Sequence, residues 1–484
     1  MAKSIAANSL YNFALKFFRL ILPILVSTYI LHTLDPTLYG IFSDAETWVA
    51  IALIFGVYAY GIREATRVRD DKQKSRELFT SLFLINLVMN AVVLAVYSGV
   101  VLLTVDQVGR GIYLILGLKV FANFFMVEWL NEAFENYRFI TIKTIVVRLI
   151  YMVLIFACIH KPEDILVYCI IIVAMDLLNN LLSFVYINRR IPLCFRHLEI
   201  RKHILPICSM LVISNVNLLY TRLDRVMLGQ VLGTDLVTLY SIPQAVTDMI
   251  STLTASIVMV AVPRLAYYSE DHPKEYLELL NRSYRSFMLV VFPACIGMAC
   301  LSREIIQLYS GSSYDGAIPV LAIFAIRSIE SSVYMVCANQ ILYIKNQEKF
   351  LVRMLLMGGI LNAVLNGLAV WAGVFSPAVA ILTTFLAEIV LMAVLLRYIQ
   401  KEMEIPFYFF TKTNMKYLAL SLTFLPVTYG VHLLGFGNVV NVILVVPVCV
   451  LIYFGVLLLT KDETMWFLSQ KVLSTLLGRF RKSK

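Results

Sequence analysis

The sequence predicts an all-α polytopic membrane protein of about fourteen transmembrane helices, arranged as two six-helix lobes followed by two further C-terminal helices. Three observations predict it. Of the 484 residues, 60% are hydrophobic and 15% charged, whereas soluble domains average about 45–50% and about 25%. Fourteen apolar runs have the length of about 20 residues that crosses a hydrocarbon core about 30 Å thick, and the loops between them are short. Finally, Leu38-Tyr39-Gly40-Ile41-Phe42-Ser43 has a counterpart 198 residues later in Leu236-Val237-Thr238-Leu239-Tyr240-Ser241. Internal repeats of this kind build many transporter folds, and the spans fall as six, six and two around this one.

The runs are bounded by charge, Gly, Pro or Asn. In the first half they lie near residues 10–34, 40–62, 78–104, 111–133, 142–159 and 165–187. In the second half they lie near 204–228, 236–262, 284–306, 318–343, 350–372, 377–400, 417–434 and 439–460. The seventh contains Arg222, Asp224 and Arg225, and the eighth is interrupted by Pro243. The expected units are an N-lobe over 1–203 with a basic loop, a C-lobe over 204–416, and two extra helices with a basic tail over 417–484.

The 41 Lys and Arg outnumber 31 Asp and Glu, giving a net charge of +10. With the N-terminus in the cytoplasm, 31 cations fall in cytoplasmic segments and only two, Arg110 and Lys161, in outer loops. The positive-inside rule therefore predicts a multi-pass protein of the cell membrane with both termini cytoplasmic. The charge reports orientation rather than nucleic-acid binding. Eight cations remain inside or at the edge of spans: Lys16, Arg19, Lys119, Arg148, Arg222, Arg225, Arg303 and Arg327. The eight Cys are scattered without CxxC or His pairing, and GxxxxGK[ST], HExxH and GxSxG are absent, so neither metal, cofactor nor catalytic site is expected. The polar start and the charged first span predict a retained helix rather than a cleaved signal.

Polar residues line up on several spans. In the first, Asn8, Asn12, Lys16, Arg19 and Pro23 lie within about 80° on a helical wheel, as a helix facing water rather than lipid would place them. The competing reading of Lys16 is a side chain that snorkels to the surface. Ser214, Asn217, Thr221 and Asp224 share a face of the seventh span, with Arg225 at its margin, and Ser241, Gln244, Asp248 and Ser251 share one of the eighth. Arg327 and Glu330 can pair three residues apart on the tenth span. Arg148 and Asp176 can pair between the fifth and sixth, and Asn362 with Asn366 suits interhelical packing. Glu128 and Glu388 each need a partner or a proton-carrying task. A polar cavity between the lobes explains these positions jointly. Its cations suit a phosphate-bearing substrate.

Further along, the residues resemble the polysaccharide flippases of the multidrug/oligosaccharidyl-lipid/polysaccharide exporter superfamily. The resemblance rests on Asn8, Leu38-Tyr39-Gly40, Gly61 with Arg63-Glu64, Glu135-Asn136-Tyr137, and Asp224 within Arg222–Gly229. It continues through Pro263-Arg264, Pro293 with Gly297, Tyr309–Tyr314 with Ala317, and the Asn362 and Asn366 pair. Thr238 and Ser376-Pro377 depart from the family pattern. The resemblance implies a fourteen-helix, V-shaped transporter that moves an isoprenoid-pyrophosphate-linked oligosaccharide, teichoic-acid or capsule unit by alternating access, coupled to an H+ or Na+ gradient. Lys16, Arg19, Asn12, Arg222, Arg225 and Arg327 would contact the substrate. Asp224, Asp248, Glu330 and Glu388 would pair with those cations or carry the coupling ion. The expected partners are the lipid-linked glycan, membrane lipids and glycan-assembly enzymes, not nucleic acid, with the chain acting as a monomer. The alternatives are a multidrug or cation antiporter of the same superfamily, and a membrane-embedded glycan ligase or polymerase. Short outer loops argue against the last.

Overall fold

A computed structural model describes residues 22–54, 57–196, 198–467 and 470, with side chains of 209 and 211–221 outside the description. All regular elements among the described residues are helical. By contact the chain forms two compact units, Met1–Thr238 and Leu239–Lys484. The first contains α1 (Leu22–Thr33), α2 (Pro36–Ala52), α3 (Tyr58–Val68), α4 (Lys72–Thr104), α5 (Gln107–Ala122), α6 (Glu128–Ala133), α7 (Tyr137–Cys158), α8 (Ile165–Arg190) and α9 (Ile200–Leu232). The unit boundary falls early in α10 (Thr234–Asp271). Then follow α11 (Pro273–Cys300), α12 (Ser302–Ser310), α13 (Ile318–Val336), α14 (Glu348–Trp371), α15 (Pro377–Lys401), α16 (Lys412–Leu422), α17 (Phe424–His432) and α18 (Asn438–Leu459). The contacts of α9 are with α2, α3 and α4. Contact and internal repeat thus divide the chain at different places.

Helix starts follow local chemistry. Asp35 accepts from the Thr37 and Leu38 N–H groups while Pro36 occupies the first turn of α2. Asp71 caps α4, Asp106 caps α5, Ser376 caps α15 before Pro377, and Thr411 caps α16. Each satisfies first-turn N–H groups that have no partner within the helix. Between α9 and α10 the chain turns on Gly233, whose φ of 103° only glycine adopts without strain.

Among the described residues ten helical segments are long and apolar enough to cross a membrane, and the chain is a multi-span, membrane-embedded helical protein. The ten coincide with ten of the fourteen predicted runs. The first run is described only from Leu22. The second is divided into α2 and α3, the seventh is the charged α9, and the thirteenth breaks at Thr423 into α16 and α17.

Two spans that read as continuous in sequence are interrupted. The fourth leaves α-helix at Ala122, passes through a 3₁₀ turn at Asn123–Phe125 and restarts at Glu128. Hydrocarbon offers no replacement hydrogen bonds, so asparagines supply them. Asn180 Nδ2 donates to the Ala122 carbonyl at 3.0 Å, and Asn86 Nδ2 donates to that of Asn123 at 2.8 Å. Asn123 Nδ2 donates in turn to Asn90 Oδ1 at 3.0 Å. In the tenth span a π turn at Cys337–Leu342 is held similarly. The Tyr276 hydroxyl donates to the Gln340 carbonyl, while Gln340 Nε2 donates to the Val258 carbonyl and Ser283 Oγ.

The first unit has one apolar cluster around Phe42, Val49, Leu116, Ile155 and Tyr168, and another around Phe79, Leu82, Trp129, Leu130 and Ile187. In the second cluster α3 approaches α6 so closely that a Cβ on Gly61 would lie 2.6 Å from Trp129 Cδ2. The second unit packs Tyr284, Phe287 and Phe292 of α11 against Val333, Val336, Phe407, Tyr417 and Tyr453. The Tyr453 hydroxyl donates to the Leu289 carbonyl at 2.9 Å, tying α18 to α11. Just past α18, Asp462 accepts from the Tyr417 hydroxyl at 2.9 Å, from Lys416 Nζ at 3.1 Å and from the Met465 N–H at 3.2 Å. Burial alone would raise the Asp462 carboxyl, but these donors outweigh it and hold it below the usual aspartate range.

Two outcomes follow from this packing. Gly61→Ala is expected to cost about 1–3 kcal/mol by overpacking and to lower the melting temperature in detergent. Gly99→Ala, whose Cβ meets nothing within 4 Å, is expected not to. Equal melting curves for the two variants would refute the close approach. A carboxyl with a depressed folded pKa stabilises above its unfolded pKa of about 3.9 and loses that contribution as pH falls through the folded value. Asp462→Asn is therefore expected to melt below wild type at neutral pH, with the gap closing in acid. A gap independent of pH would contradict this.

Candidate functional site

Charge inside a membrane span is costly and marks helix bonding or function. The described residues include four such constellations around lysine, arginine and aspartate, beside the buried Glu304 that His432 and Asn441 hold. In the first, Lys119 of α5 lies 2.8 Å from Glu46 of α2 and 3.4 Å from Asp176 of α8. Arg148 of α7 adds a second positive charge near Asp176. Two cations face two acids, so the group is balanced, and it joins four helices. The predicted Arg148 and Asp176 pairing is thus a part of a larger cluster centred on Lys119. Glu46 lies inside this cluster.

The second lies where the fourth span breaks. Lys143 Nζ donates to Glu128 Oε2 at 2.9 Å and to Ser183 Oγ at 2.7 Å, and Ser183 Oγ donates to Glu128 at 2.5 Å. Lys143 is buried, not in a cytoplasmic loop where the cation tally placed it. Glu128 opens α6, where the partial positive charge of a helix N-terminus adds to the ammonium. This acid has its partner.

The third lies in the second unit. Arg327 of α13 grips Glu388 of α15 with both forks, Nε to Oε2 at 2.6 Å and Nη2 to Oε1 at 2.5 Å. Glu330, one turn along α13, hydrogen-bonds Glu388, and Tyr334 faces both acids. The sequence favoured Arg327 with Glu330 on one helix, but the bidentate bond runs between helices because planar guanidinium matches a carboxylate presented edge-on. Among the described residues of this group one cation, Arg327, lies with two acids.

Asp44 forms the fourth. It sits on α2 two residues before Glu46 and points elsewhere, and it is 2% exposed. It accepts a hydrogen bond from the Tyr113 hydroxyl on Oδ2. Its Oδ1 accepts none from any described residue. Gly229 of α9 lies against that oxygen, so closely that a Cβ there would collide with it. Asp44 also lines a cavity of about 430 Å³ together with Trp48, Tyr97, Asp106, Tyr113 and Gln230. No lysine or arginine is among the described residues that line that cavity. Nothing in the spacing of Asp44 along its own helix signals that a tyrosine from α5 and a glycine from α9 enclose it.

Other predicted positions are dispersed. Asp224 and Arg225 are buried on α9, Arg222 is half-buried, and Asp248 is exposed on α10. Asn362 and Asn366 are fully buried on α14, and Asn366 accepts from the Thr383 hydroxyl of α15, the interhelical packing their spacing suggests. Lys16, Arg19 and Asn12 lie outside the described residues.

The profile of the polysaccharide biosynthesis protein family matches residues 5–269, more than half of the chain. Two curated relatives are similar. A Haloferax volcanii protein named as a low-salt glycan biosynthesis flippase, Agl15, is 26% identical over 249 residues, covering 51% of this chain and 50% of that protein. The match thus spans about half the length of that relative. An Escherichia coli K12 protein named as an O-antigen transporter is 19% identical over 372 residues, covering 75% of this chain and 89% of that protein. Among solved structures, the lipid II flippase MurJ in its inward closed conformation superposes with a TM-score of 0.72 at 13% identity, covering 94% of this chain and 99% of that one. A multidrug resistance MATE transporter in an inward-facing conformation superposes at 0.56 and 12% identity, covering 83% and 96%. The named relatives are transporters and flippases, not enzymes, and the two structures share the fold. By its matched profile, this chain belongs to the polysaccharide biosynthesis protein family.

Proposed function

We propose that the chain is a flippase that carries a lipid-linked oligosaccharide, of the kind used for capsule, teichoic acid or surface polysaccharide, across the cell membrane by alternating access. The observation that carries this reading is the family match combined with a fold like that of a lipid II flippase along 94% of the chain. No bond is made or broken. The protein lowers the barrier for a polar headgroup to cross about 30 Å of hydrocarbon. Lys16, Arg19 and Asn12, with Arg222, Arg225 and Arg327, hold the sugar-phosphate headgroup through charge-assisted hydrogen bonds. Both termini face the cytoplasm, where glycan-assembly enzymes deliver the substrate, and a single chain suffices.

An ion gradient drives the cycle. Asp44 is the first candidate for the coupling group, since it is a buried acid on a cavity whose described lining includes no lysine or arginine. Uptake of H+ or Na+ there relieves a charge that the low-dielectric interior disfavours. The acids Glu330 and Glu388 are the corresponding candidates in the second unit, and Asp224 and Asp248 hold nearby cations in register. The second reading, a multidrug or cation antiporter, draws support from the aromatic and acidic lining of the Asp44 cavity, which would suit an organic cation.

Export of surface glycan in cells separates these readings. Replacing Lys16 and Arg19 together by Ala, with membrane expression verified, is expected to reduce surface glycan at least tenfold, because two phosphate contacts of about 1.5–3 kcal/mol each are lost. Unchanged export would remove both from the mechanism. Unchanged glycan with raised drug sensitivity would favour the antiporter. Asp44→Asn keeps size and hydrogen bonding but removes the ionisable group. It is expected to abolish the dependence of transport on the imposed H+ or Na+ gradient in proteoliposomes while leaving the melting temperature near wild type. Persistence of that dependence would move coupling elsewhere.

A further inference from the structure

We infer that the paired ends of α7 and α8 form a lateral site for the phosphate headgroup of an anionic glycerophospholipid. The ends meet in an open pocket of about 320 Å³ lined by Asn136, Arg138, Phe139 and Ile142 of the α7 end and by Tyr186 and Arg190 of α8. Its floor is a stacked aromatic pair: the Phe139 and Tyr186 rings are 3.7 Å apart and within 7° of parallel. Arg190 is held in place over the Tyr186 ring, with its guanidinium carbon 4.2 Å from the centroid, while its donors remain exposed.

Charge balance distinguishes these arginines from the paired cations around them, and what separates them from the other unpaired ones is that both line one pocket. At the same end of the unit, Arg63 and Arg67 pair with Glu64, Arg69 with Glu135, Lys74 with Asp71 and Lys202 with Glu199. Neither Arg138 nor Arg190 forms an ion pair among the described residues. Two uncompensated guanidinium groups on one pocket match a phosphodiester.

The apolar surface makes the ligand a lipid. From Arg138 an i, i+4 stripe runs along α7 through Ile142, Val146 and Ile150, which are 49%, 47% and 40% exposed. From Arg190 a matching stripe runs along α8 through Tyr186 to Leu182, which is 40% exposed. Side chains at that spacing share one helix face. An anionic head at the arginines therefore leaves its acyl chains lying on exposed aliphatic groups, the arrangement by which basic pockets between spans take anionic lipids.

Native mass spectrometry of the purified full chain tests this. Wild type is expected to retain dioleoyl phosphatidylglycerol over dioleoyl phosphatidylcholine by about thirtyfold, given roughly 1 kcal/mol for each of two arginines at a charged lipid surface. Arg138→Gln/Arg190→Gln is expected to bring that ratio near one, while Arg189→Gln, adjacent but outside the pocket, leaves it unchanged. Melting curves confirm folding, and Arg138→Lys/Arg190→Lys, which keeps the charge, is expected to retain part of the preference. Four outcomes would overturn the site: no headgroup preference in wild type, an undiminished preference in the double variant, an equal loss in Arg189→Gln, or displacement by millimolar inorganic phosphate. Tighter retention of undecaprenyl phosphate than of phosphatidylglycerol would assign the pocket to an isoprenoid carrier and overturn the glycerophospholipid.

Discussion

Hydrocarbon provides no hydrogen bonds, so every polar group placed within the spans must find its partner inside the protein. This constraint organises the first unit around a break in its fourth span. The break takes the carbonyls of Ala122 and Asn123 out of the α-helical ladder, the latter accepting from the Met126 N–H instead, and Asn180, Asn86 and Asn90 from two other helices are arranged around that turn. The same break restarts a helix at Glu128, whose carboxylate is taken by Lys143 and Ser183. One departure from helix thus fixes the relation of α4, α6, α7 and α8 through bonds that cannot be exchanged for water.

Charge follows the same rule with a further distinction. Where cations and acids balance, as around Lys119, the cluster binds helices and needs nothing from outside. Where a buried acid stands before a cavity, as at Asp44, the interior retains a demand for positive charge. A transporter driven by a cation gradient needs groups of the second kind. Abundance of buried charge is therefore less informative than its local balance.

Balance also distinguishes the arginines at the surface. Several cations at the basic end of the first unit are neutralised by a nearby acid, whereas Arg138 and Arg190 share a pocket that continues into exposed aliphatic stripes. The aromatic stack beneath them reduces the freedom of Arg190 before any ligand arrives, and a preorganised donor loses less entropy on binding.

Composition and run length by themselves determined that the chain is an all-helical, multi-span membrane protein, because the thickness of hydrocarbon sets a length that sequence displays directly. The ordered motifs from Leu38-Tyr39-Gly40 to Asn362 and Asn366 pointed to the family that the profile match bears out. Some site features were also legible: the one-turn spacing of Asn362 and Asn366 implied packing, and isolated Glu128 and Glu388 demanded partners. Which partners they have was not legible. Arg327 binds Glu388 across 61 positions of chain rather than Glu330 beside it, and Asp44 is enclosed by Tyr113 and Gly229 rather than solvated. Helical spacing reports only neighbours on the same helix. Contacts between helices depend on rotation and depth, which many weak packing interactions set together, so only the tertiary structure decided which charges cancel and which remain.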